Sequence, residues 1–300
     1  MHLKRRQFLA IALPAVAAAS LHAAEPFARQ GKARLRLGLA AYSFRSFFKD
    51  GNSKAAPAGR AIDLFGFIDF CADNGCDGAE LTSYYFPKDP TEEFLIKLRR
   101  HAFLRAVAIS GTAVGNNFTH PAGEERTRQI ASVKQWIDRA AILGAPHIRV
   151  FAGVAKGITE AESDRNIISA LEECSAYAGK RGLFLGLENH DSIGNAARLL
   201  ALVRAVKSPW LGVNLDTGNF HTEDPYEDIA LTAPFAVNVQ LKVELRRRGA
   251  KASEPADLPR KIKLLREANY QGYVTLEYEA AQDPWTAVPP YLKRMRELLA

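Results

Sequence analysis

The stretch GLFLGLENHD, residues 182–191, decides how this chain is read. Leu183 to Leu187 form a short apolar run without polar alternation, the pattern of a strand covered on both faces. Glu188, Asn189, His190 and Asp191 then follow in succession, four groups that are costly to bury without partners. A strand that is apolar along its length and polar at its carboxyl end suits a parallel sheet whose strand ends open onto a site.

The same sentence is repeated along the chain. Apolar runs stand at 36–44 (RLRLGLAAYSF begins just before), 77–84 (DGAELTSY), 105–114 (RAVAISGTAV) and 146–153 (PHIRVFAG). After 183–190 come 211–219 (LGVNLDTGN), 236–244 (AVNVQLKVE) and 272–279 (GYVTLEYE). Helical patterns separate them. Ile62, Phe65 and Ile68 share one face of a segment that stops at Asn74-Gly75, and Asp89 or Thr91 can cap the next. Ile130, Val133 and Ile137 share a face of a helix ending at Gly144, and a further helix ends at Gly182. Shorter helices fit 195–206, 225–231, 256–268 and 287–299. Eight strand–helix units are the arithmetic of a (β/α)8 TIM barrel, an α/β fold. The alternative is a doubly wound sheet, but AAYSF stands after the first strand where that fold's dinucleotide binders carry a glycine-rich turn. Residues 45–60 read as a long loop at the barrel mouth.

Residues 1–24 read differently. Lys4, Arg5 and Arg6 precede an alanine-rich apolar stretch without acids, the build of a secretory signal, and Arg5-Arg6-Gln7-Phe8-Leu9 resembles a twin-arginine export signal. The domain is therefore expected over 25–300, exported to the periplasm and without stable membrane association once the signal is removed. Without those three bases the 40 Lys and Arg fall to 37 against 33 acids, a surplus of four. No basic stripe interleaved with aromatics accompanies it, so nucleic acid is not an expected partner. Cys71, Cys76 and Cys174 are an odd number, and buried free thiols are the reading preferred over a Cys71–Cys76 pair.

The polar strand ends carry the chemistry. Glu80 closes the second run, Glu188 the fifth, Asp216 the sixth, Gln240 and Lys242 the seventh, and Glu277 the eighth. Converging carboxylates repel one another unless a cation compensates them. Glu188, Asp216 and Glu277, with an amide oxygen from Gln240, therefore invite one divalent metal ion. An all-oxygen set favours Mn2+ or Mg2+, with Co2+ or Zn2+ as less suited occupants. A neutral sugar offering a carbonyl and an adjacent hydroxyl is a suitable guest. His190, Asn219, Lys242, Glu80, Tyr84, Asn116 and Arg149 are candidates to line its pocket.

The pieces GAELTSYYFP, SGTAVGNNF, LGLENHD, GVNLDTGN, VNVQLKVE and YVTLEYE give the chain a resemblance to the xylose isomerase-like TIM barrels, in the branch labelled sugar phosphate isomerase/epimerase. The resemblance implies a metal held by Glu188, Asp216 and Glu277, with Glu188 and Glu277 as the proton-transfer pair. Where that family commonly has a histidine in the seventh strand, this chain has Gln240. The implied reaction is metal-dependent isomerisation or epimerisation through an enediolate. An exported protein without a phosphate cradle points to an unphosphorylated sugar or keto-sugar. Elimination or hydrolysis of a 3-keto-glycoside in the same pocket, and non-catalytic sugar binding, are the alternatives. Oligomeric state is not legible.

Overall fold

A computed structural model describes residues 25–50 and 59–300. The expected export signal and residues 51–58 of the expected mouth loop lie outside the described residues. Eight parallel strands close into a barrel: β1 Arg34–Ala40, β2 Gly78–Thr82, β3 Ala108–Ala113, β4 His147–Val150, β5 Phe184–Glu188, β6 Leu211–Asp216, β7 Ala236–Leu241 and β8 Gln271–Leu276. β1 pairs with both β2 and β8, which closes the ring and excludes the open doubly wound sheet.

The helices follow in alternation: α1 Leu64–Asp73, α2 Glu92–Leu104, α3 Glu124–Leu143, α4 Glu160–Lys180, α5 Ala196–Ala205, α6 Pro225–Thr232, α7 Leu258–Glu267 and α8 Pro284–Leu299. Their boundaries have local causes. Asp63, Thr91, Asn195 and Asp257 each accept a backbone N–H three residues on, satisfying a donor that the helix itself leaves free. Thr159 and Glu162 close a reciprocal capping box at α4. α3 stops at Gly144, whose φ of 77° is open to glycine at little cost.

The strands are shorter than the apolar runs that announce them. The first run turns into a 3-10 segment at Ala41–Phe44, and β5 stops at Glu188. His190, expected on the strand, lies in the turn before a 3-10 segment at Asp191–Ile193. The reason is visible at Asn189. Its side chain takes over the ladder's work, donating to Asp216 O (2.8 Å) and accepting from Asp216 N (2.9 Å). A two-residue antiparallel ladder, Glu244–Leu245 with Glu254–Pro255, lies beyond β7 and was not expected.

Apolar side chains from the strands pack outward against the helices; Leu185, Leu187, Leu215 and Leu276 are fully enclosed. Burial of each such leucine is worth roughly 1.5–3 kcal/mol. The opposite end from the site is sealed by the chain before β1. Phe27 meets Phe184 edge to face at 5.5 Å, and the Arg29 guanidinium donates to Pro234 O (3.4 Å) and Ala236 O. All three cysteines are buried and unpaired, as expected. Among the described residues, no helix is long and apolar enough to cross a membrane.

Candidate active site

The barrel interior is polar at the level where β2, β6 and β7 meet, unlike the branched apolar filling usual for this architecture. The sequence spacing explains it. Asn214 and Asp216 on β6, and Asn238 and Gln240 on β7, are two apart and so point to the same side of their strands. Asn238 Nδ2 donates to Glu80 Oε2 (2.6 Å) and Asn214 Oδ1 (2.8 Å), and Gln240 Nε2 donates to Glu80 Oε1 (2.6 Å). Burial pushes the Glu80 carboxyl up to about 7, with Glu277 adding and the two amides opposing. His147, whose ring fills the space that Gly111 leaves, stands 3.9 Å from Glu80 and is pushed down by burial to about 4.

Above this floor a cavity of about 260 Å³ opens, lined by Tyr42, Tyr84, Arg149, Phe151, Glu188, His190, Asn219, Lys242, Glu277 and Glu279. A second cavity of about 200 Å³ adjoins it and shares Asn219, Lys242 and Glu279. Glu188 ends β5 with one oxygen 2.8 Å from Arg149 Nε and the other accepting from Asn219 Nδ2 at 3.1 Å. Asn219 Nδ2 also donates to Asp216 Oδ2 (2.9 Å), so one amide ties the two carboxylates together. Lys242 Nζ lies 3.2 Å from Asp216 Oδ2 and 3.1 Å from Glu277 Oε2, and contacts Glu279 as well. Asp216 and Glu277 thus face one nitrogen, as Asp216 and Glu188 face another.

Electrostatics follow from burial. Enclosure raises the Glu188 carboxyl to about 8, with Asp216 and Glu277 adding to the rise and Arg149 and Lys242 opposing it. Glu277 is raised for the same first reason, with Lys242 opposing. Burial alone would lower the Lys242 ammonium; Asp216, Glu277 and Glu279 together overcome it and hold the charge firmly on. Lys261, reaching in from α7, donates to Thr217 Oγ1 (3.1 Å) and Lys242 O (2.9 Å), and burial lowers it to about 7.

The structure therefore gathers Glu188, Asp216, Glu277, Asn219, Lys242, Arg149, Tyr84 and His190 at one end of the barrel. It places three expected residues elsewhere: Gln240, in the floor against Glu80, and the two that follow. Glu80 lies in the floor rather than in the pocket wall. Asn116 is spent on the backbone, donating to Phe151 O (2.8 Å) and accepting from Phe151 N (2.9 Å). Glu279, Phe151, Asn189 and Lys261 belong to the site or its support and were not singled out. Glu279 was legible: it follows Glu277 by two, just as Lys242 follows Gln240.

For the expected metal the carboxylates converge, but as arranged the donors do not fit a divalent ion. The position between Asp216 and Glu277 is taken by an ammonium, and Glu188 is engaged by a guanidinium. Gln240 turns its amide NH2 toward Glu80 and, at 3.5 Å, Glu277, while its oxygen accepts from Asn214 at 2.6 Å. Among the described residues, no three His, Cys, Asp or Glu side chains are grouped to hold a metal ion.

Comparison with known proteins places this arrangement. Residues 68–298 match the family described as xylose isomerase-like TIM barrel. A 3-oxo-isoapionate decarboxylase from Pectobacterium atrosepticum is 26% identical over 213 residues, covering 69% of this chain and 68% of that one. Among solved structures, 3-keto-D-glucoside 4-epimerase from E. coli aligns with a TM-score of 0.66 at 14% identity, over 88% of this chain and 100% of that one. A xylose isomerase-like TIM barrel protein from Mycobacterium smegmatis, in complex with magnesium, aligns at 0.68 and 16% identity, over 88% and 96%. With a closed eight-stranded barrel and a family match across most of its length, the chain belongs to the xylose isomerase-like TIM barrel family.

Proposed function

We propose that this protein is a sugar isomerase or epimerase that moves a proton beside a carbonyl group of an unphosphorylated keto-sugar. The observation that carries the reading is the pair Glu188 and Glu277. Both line one cavity, at the end of β5 and just past β8, and enclosure raises both carboxyls above their ordinary value, the kind of group that general acid–base chemistry uses. Tyr42 and Tyr84 line the cavity with aromatic rings on which a sugar could pack. Among the described residues, the two cations that line this cavity, Arg149 and Lys242, are already engaged with carboxylates, which favours a substrate without a phosphate dianion.

In the reaction, one carboxylate takes the hydrogen on the carbon beside the ketone. The carbonyl electron pair moves onto oxygen, giving an enediolate that donors at the site stabilise. The other carboxyl returns a proton from the opposite face, and the two exchange protonation states with solvent before the next turnover. Decarboxylation of a 3-oxo acid reaches an enolate by losing CO2 instead of a proton. It is the second reading, supported by the Pectobacterium relative. A metal-loaded centre, with Mn2+ or Mg2+ on Glu188, Asp216 and Glu277, has the convergence of those carboxylates and the magnesium-bound relative in its favour, and requires Lys242 to withdraw toward Glu279. Export through the twin-arginine route is part of the proposal and agrees with an unphosphorylated substrate.

Incubation with a panel of ketohexoses and 3-keto-glycosides, followed by NMR, tests the reading. A second epimer or isomer accumulates to equilibrium. Release of CO2 from 3-oxo acids with no change in any sugar would move the assignment to decarboxylation.

A further inference from the structure

Proton abstraction beside a ketone needs a group that holds the developing oxyanion. Three independent features converge on Lys242. Its Nζ sits between Asp216 and Glu277 at 3.2 and 3.1 Å and lines both cavities, so it faces whatever occupies them. Its stem is seated: a Cβ on Gly218 would come within 2.5 Å of Lys242 Cγ and 2.7 Å of its Cβ, so the glycine exists to let the lysine lie flat. Its backbone is pinned from both sides, N–H donating to Thr217 Oγ1 (3.1 Å) and C=O accepting from the buried Lys261 (2.9 Å). A rim lysine snorkelling to solvent needs none of this.

We infer that the Lys242 ammonium is the electrophile of this centre, occupying the position between the carboxylates that the family resemblance assigns to a metal ion. This rests on the proposed proton-transfer chemistry and assigns its oxyanion-holding group. When Glu188 or Glu277 takes the carbon-bound proton, the developing enolate oxygen accepts a hydrogen bond from Nζ. No proton leaves the lysine, and the other carboxyl returns one to carbon. Asp216 and Glu279 hold the ammonium in place throughout, and Gln240, freed from coordinating anything, spends its amide on Glu80. The arrangement explains why the histidine of the seventh strand is dispensable here: with an organic cation resident, a nitrogen ligand has nothing to bind.

The test uses the full mature chain, freed of metal by chelation and checked by elemental analysis. Solvent deuterium exchange into methyl 3-keto-glucoside and a ketohexose is followed alongside Mn2+ binding by electron paramagnetic resonance. Chelated wild type keeps its exchange rate within twofold, Lys242→Met loses at least a hundredfold, and Mn2+ binds Lys242→Met at least tenfold tighter than wild type. Gly218→Ala, which keeps the lysine but displaces its stem, lowers exchange at least tenfold and covers the case in which Lys242→Met fails to fold. Loss of wild-type exchange on chelation with recovery on Mn2+, or equal Mn2+ affinity in wild type and Lys242→Met, overturns the inference. If no form exchanges any keto-sugar, the proton-transfer reading fails, and the Mn2+ comparison alone still decides whether Lys242 holds the cation's place.

Discussion

At the scale of single residues, two carboxyls with one job each are the core of the account. Glu188→Gln keeps the shape and the contact with Asn219 but cannot take a proton, and Glu277→Gln likewise keeps its shape and loses its base. Each change is expected to slow turnover by about 10²–10⁴-fold while leaving the melting temperature within a few degrees, measured side by side. Glu80 gives a different prediction. Its folded value of about 7 lies above the ordinary 4.5, so the folded state keeps its proton where the unfolded chain has lost it. That contribution is fully present below about pH 4.5 and fades as the pH rises through about 7. The stability of wild type relative to Glu80→Gln should therefore fall by up to about 3 kcal/mol across that window. Chemical denaturation at several pH values reads the difference, and a pH-independent gap would contradict it. Residue identity was the most legible level in the sequence: Glu188, Asp216, Glu277 and Lys242 all announced themselves at strand ends. Partners were not. Nothing in the string shows that Arg149 lies against Glu188 or that Asn116 is consumed by Phe151, because those pairings depend on how neighbouring strands align.

Elements decide how firmly the site is held. Asn189 joins the end of β5 to the end of β6 through both backbone groups of Asp216. Asn189→Ala strips two fully buried hydrogen bonds and is expected to cost about 2–4 kcal/mol, with a parallel loss of activity because Asp216 then loses its fixed position. A stability loss with unchanged kcat would show that Asp216 is held by other means. The capping box of α4 lies far from the chemistry, so Thr159→Ala should cost about 1 kcal/mol and leave turnover alone. Helix ends were legible at this scale because caps are local: Thr91 marks the start of α2, and Gly144 and Gly182 mark stops in the sequence. Strand ends were not, since β5 yields to a side chain whose partner is 27 residues away in the chain.

For the molecule as a whole, closure of the barrel is what brings residues 80, 188, 216 and 277 together. The period of eight apolar runs was enough to predict it. The plug beneath the barrel was not foreseen, because Phe27 and Arg29 belong to no periodic segment and act only through contacts with residues some 150 to 240 positions on. Removing residues 25–30 exposes Phe184 and the first turns of β6 and β7. A loss of about 2 kcal/mol there lowers the melting temperature by roughly 4–8 °C, and calorimetry of the truncated chain checks it; an unchanged midpoint would show the plug to be ornamental.

Two carboxyls at this barrel mouth are proposed to exchange a carbon-bound proton of a keto-sugar with solvent. Proton NMR of a 3-keto-glycoside in D2O reads the exchange directly. Deuterium is expected at the carbon beside the ketone with wild type, and at least a hundredfold more slowly with Glu188→Gln or Glu277→Gln. Exchange at the wild-type rate in both variants would contradict it.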